Sequence, residues 1–160
     1  MHDPSGSQWR KWDLHVHTPA SALEHSLGSD WDGYVGSLIE AAKNHQIAAI
    51  ATADYFSLDG YSKLLEYYNQ PTRMLAGNGN EVPIYIIPGV ELRLNIFNGL
   101  EESINLHVLF DPEKCAVEFI KQNFLEELKI SYRGAPFSLH CPEFWRDEKW
   151  PIEKYWQFWP

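Results

Sequence analysis

Two histidines stand two residues apart in Trp12-Asp13-Leu14-His15-Val16-His17-Thr18-Pro19, with Asp13 one alternation earlier. Successive side chains of a strand point to opposite faces, so Asp13, His15 and His17 share one face while Trp12, Leu14 and Val16 share the other. One face is expected to pack under helices, and the other to converge on a point. Two imidazoles on one face suit a single divalent ion. The bland alternative is a pair of hydrogen-bonded surface groups, and the apolar residues in between weigh against it. Asp54, Glu91 and His107 belong with this pair by type and by place, since each lies in or at the end of a strand-like run. Alone, Glu91 would read as an exposed strand carboxylate; in company with His15, His17 and His107 it reads as a ligand. A carboxylate bridging two ions suits a centre that clamps a phosphoryl group and activates water. Arg93 is placed to hold a phosphate oxygen, with an ion pair to Glu91 or another carboxylate as its alternative.

The elements that position these residues follow from the hydrophobic pattern. A loop over 20–29 leads to Asp30-Trp31-Asp32, acidic residues at a helix start, and Tyr34, Val35, Leu38, Ile39 and Ala42 follow at helical spacing until about Asn44. The small apolar run 47–53, with Asp54 at its end, reads as a strand buried on both faces of a parallel sheet. Strand, helix and strand make a βαβ unit. A second amphipathic helix is expected over 58–69, with Tyr61, Leu64, Leu65 and Tyr68 on one side. The Gly-Asn segment 77–80 breaks it from a third strand, 84–87, which Pro88-Gly89 interrupts before 90–95 alternates. Asn98-Gly99 is a turn, and 104–110 is a fourth strand centred on His107. Asp111-Pro112 opens a helix with Val117, Ile120, Phe124 and Leu128 on its buried stripe, and 136–139 is a candidate fifth strand. Residues 141–160 are rich in aromatics without a clean period; they either pack on the domain or meet a missing partner. Strands alternating with helices predict a parallel α/β sheet or barrel with its active residues at the carboxyl ends of the strands.

At 160 residues the chain is expected to be one domain, and its formal charge of −9 argues against a broad basic surface for nucleic acid. Bound cations would reverse that sign locally. No apolar run has the roughly 20 residues that span a bilayer, and the first ten residues lack the apolar core of a signal peptide, so a cytoplasmic address is expected. Cys115 and Cys141 form no Cys-x-x-Cys pair and read as plain thiols.

In order and spacing, Asp13-Leu-His15-Val-His17-Thr18, Thr52-Ala-Asp54, Pro88-Gly-Val-Glu91 and Leu106-His107-Val108 resemble the early motifs of the PHP (polymerase and histidinol phosphatase) superfamily. The longer phrases Trp12-Asp-Leu-His-Val-His-Thr-Pro-Ala-Ser21, Thr52-Ala-Asp-Tyr-Phe-Ser-Leu-Asp-Gly-Tyr61 and Gly89-Val-Glu-Leu-Arg93 are closest to the amino-terminal PHP domains of TrlF-like proteins, in which an AAA-like or SMC-like ATPase follows. The resemblance covers residues 8–110. It implies a distorted (β/α)7 TIM-like barrel, of which this chain holds the first four or five β/α units. It also implies a metal-dependent phosphoesterase acting on a nucleotide, a nucleic-acid end or a small phosphate ester, with two divalent ions drawn from manganese, zinc or iron.

Carried across by that resemblance, His15 and His17 bind the first metal, Glu91 bridges it to a second, and His107 binds the second. Asp13 orients an imidazole, and Asp54 matches the aspartate of the second motif. Tyr55 stands where the superfamily usually has a histidine, which removes a ligand of a third ion. His25 reads as an ordinary loop histidine. No Asp-x-His follows His107; His140 is either the missing later histidine or a surface residue. A full barrel takes roughly 200 residues or more, so the expectation is an incomplete PHP-like domain or a reduced relative. The rival of a different class is a catalytically degenerate PHP-like module that docks with an ATPase, for instance in antiphage defence. Amidohydrolase-like barrels also open with His-x-His, but their later lysine or histidines are not found at matching places.

Overall fold

The computed structural model describes residues 9–22, 26–68, 84–97, 103–132 and 135–138. His25, His140, the segment 77–80, the Asn98-Gly99 turn and the aromatic stretch 141–160 lie outside the described residues.

A mixed α/β architecture is built on strands that continue one another through short breaks. Strands β1 (Lys11–Val16) and β2 (Ile47–Thr52) are parallel and are joined through helix α1 (Trp31–His45). Asp30 caps α1 by accepting from Gly33 N–H at 3.0 Å, and Gln46 ends it in the left-handed conformation. After Ala53 the chain pairs again as β3 (Asp54–Tyr55), and α2 (Asp59–Tyr68) follows. Strand β4 (Tyr85–Ile87) lies parallel to β2, so the first sheet has the order β1-β2-β4. Beyond Pro88 the chain continues as β5 (Gly89–Phe97), parallel to β3 and antiparallel to β6 (Ser103–Leu109).

Proline cannot donate to a ladder. At this break the Thr52 hydroxyl substitutes, donating to Gly89 O at 3.1 Å and accepting from Gly89 N–H at 3.3 Å. A Cβ at Gly89 would run into the Thr52 carbonyl and stand 2.7 Å from Leu109 Cδ2, so this junction requires glycine. Neither small sheet closes on itself among the described residues.

The core lies where α1, α2 and the segment after β6 cover the strands. Val35 and Ala42 of α1, Ile50 of β2, Tyr61 and Leu64 of α2, Ile86 of β4 and Val90 and Leu92 of β5 are buried together. Tyr34, Leu38 and Ile39 of α1 and Leu65 of α2 pack against this core as the spacing predicts, and the side chain of Tyr68 lies outside the described residues.

Three expectations are corrected. The apolar face of β1 does not lie under helices: Trp12 is 62% and Leu14 37% exposed, because β1 is an edge strand among the described residues, and only Val16 reaches the core. The sheet is not parallel throughout, since five residues separate β5 from β6, too few for the crossover that a parallel return needs. The helix expected after Asp111 begins at Val117 as α3 (Val117–Ile120) and passes into a π-helical turn, Lys121–Leu125, closed by Glu126 N–H donating to Lys121 O at 2.9 Å. That turn shifts the buried position to Leu125, beside the expected Val117, Ile120, Phe124 and Leu128. An antiparallel hairpin follows, β7 (Lys129–Tyr132) and β8 (Ala135–Ser138); β8 overlaps the expected fifth strand, while β7 has no counterpart in the sequence reading.

Candidate metal centre

Three strands bring the histidines to one carboxylate. His15 lies on β1 and His17 one residue past its end, Glu91 is the third residue of β5, and His107 of β6 sits opposite Glu91 in the antiparallel register. Glu91 Oε2 stands 3.1 Å from His15 Nε2, 3.2 Å from His17 Nε2 and 3.5 Å from His107 Nε2. The Nε2 atoms of His15 and His17 are 3.2 Å apart. Donors bonded to one ion at roughly 2.0–2.1 Å in a tetrahedral shell stand roughly 3.3 Å from each other. Among the described residues His15, Glu91 and His107 each offer a ligand atom within 4.8 Å of the others, a group that could hold a divalent ion, and His17 stands beside it against His15 and Glu91.

Burial sharpens the point. The Glu91 side chain is 1% exposed, whereas His15, His17 and His107 are 51%, 19% and 31% exposed, so a buried carboxylate forms the floor and the imidazoles form a half-open rim. A buried carboxylate requires a positive or hydrogen-bonding partner. Asn105, two residues before His107 and on the same face, donates Nδ2 to Glu91 Oε1 and leaves Oε2 for the histidines. The three imidazoles thus approach one carboxylate oxygen. The second ion implied by the family resemblance has no separate ligand set among the described residues.

The surrounding contacts fix the imidazoles. His17 Nδ1 is 3.2 Å from Ser21 Oγ; with Nδ1 donating there, Nε2 keeps its lone pair toward the cluster. Ser21 Oγ also accepts from Tyr55 N–H at 3.4 Å, which ties the loop to β3. Tyr34 donates its hydroxyl to His17 O at 2.6 Å, and its pKa is raised by burial first and then by the charges of Asp54 and Asp13, so it remains a donor. Asp13 Oδ1 accepts from His15 N–H at 3.2 Å and so touches the backbone that carries the imidazole.

Asp54 is wholly buried. It accepts from Thr18 N–H at 2.7 Å and from the Thr18 hydroxyl at 2.6 Å, clamping the turn that follows His17. Burial pushes its pKa up to about 6, against the lowering effect of the two Thr18 bonds. Gly60, in the first turn of α2, packs so closely on this pair that a Cβ would meet both Asp54 Oδ2 and Thr18 Oγ1.

Tyr55 and Arg93 border the cluster. The Tyr55 ring stacks on His17 with centroids 5.1 Å apart at 25°, and Arg93 Cζ lies 5.5 Å from the Tyr55 centroid. Burial first, then the Glu91 charge, raises the Tyr55 pKa, while Arg93 lowers it. Among the described residues Arg93 has no carboxylate ion pair. Beyond Tyr55 the backbone turns through Phe56 at φ 57°, a left-handed conformation held by complete burial of the ring and by Phe56 N–H donating to Glu91 O at 3.2 Å.

His15, His17, Glu91 and His107 are thus brought together as the sequence predicted, with Arg93 beside them and Asp13 and Asp54 supporting the strand and turn. Asn105, Ser21 and Tyr34 were not singled out by the sequence. Only Asn105 left a signal, its two-residue offset from His107. No helix among the described residues is long and apolar enough to cross a membrane. No protein-family model matches the chain, and a search of the curated proteins finds no match either.

Proposed function

We propose that this chain is a metal-dependent phosphoesterase of PHP type, with His15, His17, Glu91 and His107 holding a divalent ion. The observation that carries the proposal is the convergence of three imidazole Nε2 atoms on one buried carboxylate oxygen within 3.1–3.5 Å. When bound, the ion would withdraw charge from a phosphoryl oxygen and make a water more acidic. The chain's own residues do the rest. Asn105 holds the carboxylate, Ser21 and Tyr34 hold the His17 ring and backbone, and Arg93 meets a phosphate oxygen. The open rim at His15 admits substrate.

Imidazole with carboxylate suits manganese, zinc or iron. A second ion would draw its other ligands from residues outside the described set. The parallel order of β1, β2 and β4, with His15 and His17 at the carboxyl end of β1, supports the finer reading of a partial distorted (β/α)7 barrel forming a single PHP-like domain; a cytoplasmic location is part of the same proposal. The test is release of phosphate from p-nitrophenyl phosphate by the purified chain. Turnover that needs added metal and is lost in Glu91→Gln is expected; turnover unchanged by a chelator would refute the proposal.

A second reading, a non-catalytic PHP-like module docked on an ATPase domain or subunit, is favoured by the exposed Trp9, Trp12 and Leu14 at one sheet edge and Ile104 and Leu106 at the other. Metal uptake without turnover of any phosphate ester would favour it.

A further inference from the structure

Glu91 and Arg93 are two residues apart on β5 and so share a face, and across the β3–β5 pairing Tyr55 stands beside Glu91. Asn105 meets one oxygen of Glu91 and the three imidazoles meet the other, and among the described residues Arg93 forms no ion pair with it. What lies against Arg93 is Tyr55: the guanidinium carbon is 5.5 Å from the ring centroid, within cation–π range. Arg93 Nε is buried with no hydrogen-bond acceptor among the described residues. A cation with donor capacity to spare thus sits next to the candidate metal ligands, and the same tyrosine stacks on one of those ligands, His17.

We infer that Tyr55 is a positioning residue that holds Arg93 as an oxyanion subsite, so that one phosphoryl group meets the guanidinium with one oxygen and the metal cluster with another. This rests on the metal reading above and deepens it. The ligand class is a phosphoryl oxyanion, for which the planar guanidinium fork is suited. The ring, itself stacked on His17, fixes where the guanidinium lies. Without the ring, Arg93 keeps its charge and loses its orientation.

The test is calorimetric titration with inorganic phosphate of the full chain loaded at saturating Mn2+, comparing wild type, Tyr55→Leu, Arg93→Gln and the double variant, with metal content measured on each. Arg93→Gln is expected to weaken phosphate binding by about tenfold, the size of one hydrogen bond to a charged group, and Tyr55→Leu by about three- to tenfold. The double variant is expected to lose no more than Arg93→Gln alone, because Tyr55 acts through Arg93. Metal content stays at the wild-type value throughout. Phosphate binding unchanged in Tyr55→Leu, or single losses that multiply in the double variant, would overturn the inference while leaving the metal reading intact. Failure of Tyr55→Leu to load metal would overturn it in favour of a structural role. A wild-type chain that takes up no Mn2+ would overturn the metal reading and the subsite with it.

Discussion

Asn105 donates its side-chain amide to Oε1 of Glu91 and thereby divides the carboxylate, leaving Oε2 to be met by His15, His17 and His107. A free carboxylate rotates and offers either oxygen, whereas this one is held. Its position is set by strand pairing, since Arg93 and Asn105 are opposite in the β5–β6 register, one alternation from Glu91 and His107.

Asn105→Ala is therefore expected to weaken metal binding by about ten- to a hundredfold, the usual effect of removing a group that orients a ligand. It should also cost about 1–3 kcal/mol of stability by leaving a buried oxygen unsatisfied. Metal titration and urea unfolding measure the two effects. Wild-type metal affinity in the variant would show that Asn105 does not position Glu91.

Asp54 predicts a pH dependence of known sign. Its pKa is raised in the fold to about 6 from 3.8, so the native state binds its proton more tightly than the unfolded chain does. Its contribution is fully present below about pH 4 and is lost as pH rises toward about 6, a total of roughly 3 kcal/mol at 1.36 kcal/mol per unit. In Asp54→Asn this slope disappears. Urea unfolding of both proteins between pH 4 and 7 gives the comparison: the stability of wild type relative to the variant should fall as pH rises, and a constant difference would contradict the burial assigned to Asp54.

Gly60→Ala sets two effects against each other. Alanine favours a helix over glycine by roughly 0.5–1 kcal/mol. Here the added Cβ would meet Asp54 Oδ2 and Thr18 Oγ1, both buried, and overpacking of that kind costs roughly 1–3 kcal/mol. Net destabilisation is expected, with weaker metal binding because the clash falls on the turn that follows His17. A stabilised variant in thermal unfolding would rule out the close packing.

Periodicity made the helices and most strands legible before any coordinates. Val35 and Ala42 on α1 and Tyr61 and Leu64 on α2 are buried where the 3.6-residue spacing put them. His15, His17, Glu91 and His107 were legible because each sits on or next to a strand, where register brings distant residues together. What escaped was decided by partners the sequence does not name. Ser21 reaches His17 only because the loop turns back after Pro19, with Ser21 N–H donating to Thr18 O at 2.9 Å. Tyr34 read as a core residue on the buried stripe of α1, and its hydroxyl at His17 O adds a role that spacing cannot show. The exposure of Trp12 and Leu14 escaped as well, since alternation says which residues share a face but not whether anything covers it.

The most direct measurement is divalent metal content by elemental analysis of the purified chain, alongside a His15→Ala/His17→Ala double variant whose helices are checked by circular dichroism. The account predicts about one or two ions per chain, lost in the variant while its helical signal is unchanged. A folded wild-type chain without metal, or a variant that keeps the wild-type stoichiometry, would contradict it.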